Sequence, residues 1–179
     1  MQFQSGQGIE TREISDLFRR TFTASEGAKE GEVIAKLAAN MHTTTPADDL
    51  YVFTAMGETA MAGCIFFSRI AYSGEPRTVF ILSPVAVAPG YQRRGIGQGL
   101  LRFGLEALQS AGVDIAMTYG DPAYYAQVGF KPISETIAQP PFPLEQPRGW
   151  LAQSLGPHPV GDIKGYATCA PALNDPAYW

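Results

Sequence analysis

Cysteine is nearly absent: Cys64 and Cys169 are the only two in 179 residues, and neither belongs to a C-x-x-C pair. A disulfide framework and a cysteine-held zinc are thereby excluded, and a reduced, cytoplasmic setting is expected. Histidine is as scarce. His42 and His158 stand alone without ligand spacing, so no metal is expected. No apolar run approaches the length of about 18 residues that a membrane helix needs, and Met1 to Glu10 is polar with no signal-peptide core. The chain is therefore expected to be neither exported nor bound to a membrane. A basic excess is missing too: the formal net charge is −4, which gives no reason to expect a nucleic acid partner. Internal repeats and charge runs are also lacking.

What is present is an ordinary soluble composition, 45% apolar and 17% charged, in a chain of a length suited to one domain over residues 1–179. Ile14, Leu17 and Phe18 after Thr11 and Glu13 are spaced for a helix face, and Val33, Ile34, Leu37 and Ala38 repeat that spacing in a second segment ending near His42. Leu50 to Ala55 and Met61 to Ile70 flank the Met56-Gly57-Glu58 turn and predict a hairpin. A third strand is expected from Thr78 to about Val87. The following helix presents Ile96, Leu100, Phe103 and Ala107 on one stripe and stops with Gly112 at its C′ position. Val113 to Tyr119 predicts a further strand; Asp121-Pro122 then opens a short helix that feeds a strand at Phe130. This order of elements makes an α/β fold of the α+β, mixed-sheet kind. A core of about 1–133 is followed by an extension of about 134–179. Eight of the 14 prolines lie in that extension, so it is expected to be extended and turn-rich, with strands near Trp150 to Leu155 and Ile163 to Cys169.

One segment carries chemistry. Val85-Ala86-Val87 is an apolar strand end, and Gln92-Arg93-Arg94-Gly95-Ile96-Gly97-Gln98 leads from a turn into the long helix. Glycines at a helix start leave backbone N–H groups open to an anion, and two arginines add charge where the helix dipole already favours it. The same glycines also suit a helix that packs closely on a strand. A dinucleotide fingerprint would need a third glycine where Leu100 stands, and no G-x-x-x-x-G-K-[ST] loop exists. A nucleotide-binding oxidoreductase and a nucleoside triphosphatase are both disfavoured.

Gln92-Arg93-Arg94-Gly95-Ile96-Gly97 after Val85-Ala86-Val87 resembles the Q/R-x-x-G-x-G/A acyl-CoA motif of the GNAT superfamily of N-acetyltransferases. Tyr124-Tyr125-Ala126-Gln127-Val128-Gly129-Phe130 resembles the aromatic-Tyr-x-x-x-Gly-Phe segment of the same fold, at an appropriate separation. The resemblance covers about three quarters of the chain. It implies a central, mostly antiparallel twisted sheet flanked by helices, acetyl-CoA as cosubstrate and an amine acceptor, and it leaves a homodimer open. It places Val85, Ala86, Val87, Gln92, Arg93, Arg94, Gly95, Ile96, Gly97 and Gln98 against the coenzyme. Pro84 cannot donate to the sheet, so its strand should part from a neighbour there, and in the family such an opening receives the pantetheine arm.

Tyr125 matches the family position whose hydroxyl lies near the coenzyme sulfur, where a phenol can protonate the departing thiolate. A backbone N–H near Val87 would hold the carbonyl oxygen as it gains charge. No base is identifiable: Glu26, Glu30 and Glu32 are expected between the two early helices, where the family builds its acceptor site, and each also reads as a solvated surface charge. Many family members carry an Asn after the fifth strand, where this chain has Thr118-Tyr119-Gly120-Asp121-Pro122, so Asp121 is expected only to cap a helix. Cys64 is expected to be buried and inert, and Tyr124 to pack. The leading expectation is acetyl transfer from acetyl-CoA to a primary amine; the alternative is an acetyl-CoA-binding sensor or regulatory module without turnover.

Overall fold

Helix α1 (Thr11–Glu26) buries Ile14, Leu17, Phe18 and Thr21, the three- and four-residue spacing that makes one apolar stripe. Helix α2 (Ala28–Thr44) follows after Gly27 alone, which stands at φ 97°. Ala35, Leu37, Ala38 and Met41 are buried on α2, whereas Val33, expected on that stripe, is 36% exposed. The buried face of α2 is thus set by small residues at 31, 35 and 38 that let it lie close to α1. This computed structural model describes every residue except Gln7.

Two compact units interleave along the chain: Met1–Phe67 with Pro84–Gly104, and Ser68–Ser83 with Leu105–Trp179. In the first, β1 (Gln2–Ser5) runs antiparallel to β2 (Leu50–Met56), from Gln2↔Met56 to Ser5↔Phe53. The sequence pattern did not announce β1, because only Phe3 among its four residues is apolar; its ring lies 6.1 Å from that of Phe103. The predicted hairpin is present: β2 turns into β3 (Met61–Arg69), closed by the Gly57 N–H donating to the Ala60 carbonyl at 2.9 Å. Strand alternation sends Phe66 toward Phe18, 5.9 Å between rings, and Phe67 toward Phe53 at 6.3 Å. Aromatic burial of this kind stabilises by about 1.5–3 kcal/mol per side chain.

In the second unit the first part of β5 (Val79–Val87) pairs in parallel with β6 (Ile115–Tyr119), from Val79↔Ile115 to Leu82↔Thr118. The start of this ladder is fixed by Asp114, whose Oδ2 accepts from the Thr78 amide at 2.8 Å and the Thr78 hydroxyl at 2.9 Å. On the far side of β6 lies β8 (Trp150–Ser154), antiparallel, followed by the two-residue β7 (Lys131–Pro132). The residues after 134 therefore supply an interior strand of the sheet. Trp150 is fully buried and its Nε1 donates to the Ala138 carbonyl at 2.8 Å. The strand expected near 163–169 shrinks to β9 (Ala167–Thr168), which forms a small ribbon with β4 (Ala71–Tyr72). Arg77 ties this region together, gripping Glu75 with two nitrogens at 2.7 Å and donating to the carbonyls of Val160 and Asp162.

Strands β3 and β5 run through both units, so the ladders join in one seven-stranded, mostly antiparallel sheet of order β1-β2-β3-β5-β6-β8-β7. Helix α3 (Ile96–Ser110) also contributes to both. Its buried stripe is broader than periodicity alone indicated: Leu101, Leu105 and Leu108 join Ile96 and Leu100, while Phe103 and Ala107 are half-buried. The stop is as read from sequence. Gly112 stands at φ 80°, its amide donates to Gln109, and the Val113 amide reaches back to Leu108 at 3.0 Å, a glycine-dependent C-terminal lock.

Candidate active site: an open turn and a buried phenol

The turn that opens α3 belongs wholly to the first unit, as do all ten residues expected against the coenzyme. Strand β5 ends with Val85 and Val87 half-buried and Ala86 buried, and the Ala88 amide donates to the Ala62 carbonyl at 2.8 Å. Gln92 folds its side chain back, Nε2 donating to the Val87 carbonyl at 2.9 Å. That bond holds the strand end and the turn in fixed register. Arg93 then adopts φ 58°, a left-handed conformation rare for a residue with a Cβ, and Gly95 adopts φ 74° with open space around it. Alternation of left- and right-handed residues turns successive N–H groups toward one side, which makes an anion-binding concavity.

The first helical hydrogen bond of α3 runs from the Gly99 amide to the Gly95 carbonyl at 2.9 Å. By helix geometry the amides of Ile96 and Gly97 have no carbonyl one turn back in the helix. Arg93 and Arg94 are exposed at this mouth, and the Arg94 guanidinium lies 5.9 Å from the centre of the Tyr91 ring. Ile96 and Gly97 are buried, which roots the turn in the unit, and Gln98 is half-buried. The donor set suits a diphosphate: helix-start amides and the helix dipole lie in one turn with two exposed arginines.

Tyr125 lies in the second unit, in the short helix α4 (Pro122–Ala126). Asp121 caps this helix, Oδ1 accepting from the Ala123 amide at 2.9 Å, and Pro122 occupies its first turn as the sequence indicated. The Tyr125 ring is enclosed by Tyr124, edge-on with centroids 5.1 Å apart, and Phe130 at 5.8 Å. Gly120 lies beneath it so closely that a Cβ there would fall 2.7 Å from the ring's Cε2. Burial pushes the phenol up to about 12, helped by Tyr124 and Asp121, while a hydrogen bond with Thr118 acts the other way. The phenol therefore keeps its proton through the neutral range.

Other sequence candidates separate clearly. Glu32 is engaged by Arg19, 2.7 Å from its Nε, and lies within α2 rather than between the helices, as does Glu30. Glu26 is the last residue of α1 and is exposed. His42 shares a 2.8 Å hydrogen bond with Thr11, and burial pushes its pKa down. Cys64 is fully buried, which pushes its thiol up and leaves it inert. Among the described residues no group of three or more His, Cys, Asp or Glu could hold a metal, and no helix is long and apolar enough to cross a membrane. Gly120, which lies beneath the Tyr125 ring, carried no signal in the sequence, because a glycine before a turn is commonplace.

Comparison with known proteins gives this geometry a family. Residues 4–133 match the acetyltransferase (GNAT) domain. The chain is 32% identical over 163 residues to the uncharacterized N-acetyltransferase YjhQ of Escherichia coli K12, covering 88% of this chain and 86% of that one. Among solved structures, YhbS of Escherichia coli in complex with CoA superposes with a TM-score of 0.78 at 22% identity, covering 97% of this chain and 92% of its own. A GNAT acetyltransferase from Brucella melitensis in complex with acetyl-CoA gives 0.70 at 25% identity, with coverage of 96% and 97%. The chain belongs to the GNAT acetyltransferase family.

Proposed function

We propose that this protein is an N-acetyltransferase that moves the acetyl group of acetyl-CoA to a primary amine on a small molecule or protein. The observation that carries the reading is the turn at Arg93 and Gly95, whose positive φ values and place at the N-terminus of α3 suit the coenzyme's diphosphate. The CoA and acetyl-CoA found in the YhbS and Brucella structures support the same choice of cosubstrate. In this reading Val85 to Val87 align the pantetheine arm, Gln92 to Gln98 hold the diphosphate, and the Val87 N–H faces the acetyl oxygen.

The amine nitrogen attacks the acetyl carbon, the C–N bond forms and the C–S bond breaks. Tyr125 gives its proton to the departing sulfur, and the proton shed by the acylated nitrogen returns to the phenolate through solvent. Protons and charge then balance without any other reactant. A phenol near 12 is a weak acid toward a thiolate in water, but the burial that raises it raises the proton affinity of a sulfur in the same surroundings.

The test is thiol release from acetyl-CoA against a panel of primary amines, followed by Tyr125→Phe. Turnover that falls by about 10²–10⁴ in the variant, the span of general acid catalysis, supports the enzyme. Tight CoA binding with no amine acetylated would instead favour a binding module, a role that has no use for a buried, protonated phenol.

A further inference from the structure

The geometry points to Tyr91 as a positioning residue for coenzyme binding: its ring, braced against the β2–β3 turn, holds the Arg94 guanidinium at the mouth of the turn that opens α3. The inference rests on the reading of that turn as the diphosphate site and adds to it a residue outside the ten expected against the coenzyme. Everything involved lies in the first unit. Pro89–Tyr91 is a single 3₁₀ turn, closed by the Tyr91 amide donating to the Ala88 carbonyl at 2.8 Å, and Ala88 is itself fixed to Ala62 of β3. From this base the Tyr91 side chain reaches the β2–β3 turn, where a Cβ on Gly57 would fall 2.6 Å from its hydroxyl and 3.1 Å from its Cζ. Gly57 lies outside the left-handed region, so what glycine supplies there is room for the end of the ring. The Gly57 backbone is held by its bond to Ala60, and the half-buried ring therefore rests on a fixed support.

Arg93, at φ 58°, reverses the chain between positions 91 and 94 and brings the Arg94 guanidinium carbon over the Tyr91 ring, 5.9 Å from its centre. A cation over an aromatic face is attracted by the ring's quadrupole, and no hydrogen-bond acceptor on the protein is used. Other arginines of this chain are engaged differently: Arg19 is taken by Asp16 and Glu32, and Arg77 by Glu75. Among the described residues no carboxylate pairs with Arg94, so its N–H groups remain for an anion from outside. An exposed arginine that samples all its rotamers loses that freedom when it grips a phosphate. One already resting on a ring loses less, and the difference appears as affinity.

The test is calorimetric binding of CoA and of dephospho-CoA to the wild type, Tyr91→Leu, Tyr91→Phe, Arg94→Gln and the Tyr91→Leu/Arg94→Gln double variant. Leucine keeps apolar bulk against Gly57 and removes only the aromatic face, so Tyr91→Leu should weaken CoA about two- to fivefold, the worth of a cation–π contact at an exposed site. Tyr91→Phe, which keeps the ring, should recover that loss. Arg94→Gln should weaken CoA by more than Tyr91→Leu does, and in its background Tyr91→Leu should have no further effect, since a residue acting through the guanidinium has nothing left to act on. Dephospho-CoA lacks the 3′-phosphate but keeps the diphosphate, and the same losses should appear with it. Wild-type affinity in Tyr91→Leu, an equal loss in Tyr91→Phe, a loss that persists beside Arg94→Gln, or losses with CoA that vanish with dephospho-CoA would each overturn the inference while leaving the coenzyme reading standing. A wild type that binds neither compound would overturn both.

Discussion

A single methyl group at Gly120 should disable the phenol at position 125 while leaving the chain folded. The Cβ of Gly120→Ala would lie 2.7 Å from Cε2, 3.5 Å from Cδ2 and 3.6 Å from Cζ of Tyr125. Carbon atoms in favourable contact sit about 3.5–4.0 Å apart, so the ring must withdraw by roughly 0.8 Å. It has little room, with Tyr124 and Phe130 edge-on at 5.1 and 5.8 Å. Gly120 is outside the left-handed region, so alanine adds no backbone strain and the effect is that of crowding alone. Overpacking of this kind costs about 1–3 kcal/mol of stability, which for a chain of this size lowers Tm by about 2–4 °C per kcal/mol. Catalytically, a misplacement near 1 Å is worth about a hundredfold in rate. The expected result is a folded variant that binds CoA as the wild type does in calorimetry and releases thiol about a hundred times more slowly at saturation. A variant with wild-type kcat would refute the placement of Tyr125 at the reacting sulfur.

Gly97→Glu should weaken CoA binding at least tenfold in calorimetry: a carboxylate about 4 Å from a phosphate is repelled by roughly 1 kcal/mol even in bulk water and by more beside protein. Unchanged affinity would place the diphosphate elsewhere. Trp150→Ala empties the centre of β8 and removes the bond to Ala138, an expected loss of about 3–5 kcal/mol that a melting curve would register directly. Glu75 is held below its ordinary pKa of 4.5 by the hydrogen bonds and charge of Arg77. Its contribution to stability is therefore complete above about pH 4.5 and is lost as the pH falls through the depressed folded-state value. Denaturant titrations should show the wild type losing more stability than Glu75→Gln over that acid range; parallel curves would contradict the coupling.

Much of this protein was written locally. Gly112 ends α3, Asp121 and Pro122 start α4, and the glycine turn opens α3, because caps and turns depend on residues a few positions apart and their chemistry survives without the rest of the fold. Periodicity found α1, the hairpin and the strand that carries Pro84 for the same reason; on α2 it found Leu37 and Ala38 but put Val33 on the buried stripe and left out Ala35 and Met41, because which flank of a stripe is covered depends on what packs against it. Tertiary structure alone decided that β8, drawn from the proline-rich stretch, enters the sheet between β6 and β7, and that a strand with one apolar residue, β1, pairs with β2. It also took Glu32 out of consideration by giving it Arg19, thirteen positions away, and brought the Thr118 hydroxyl to the Leu82 carbonyl, thirty-six away. Such partners meet only when the sheet closes, because a hydroxyl or carboxylate carries no mark of which distant group will satisfy it.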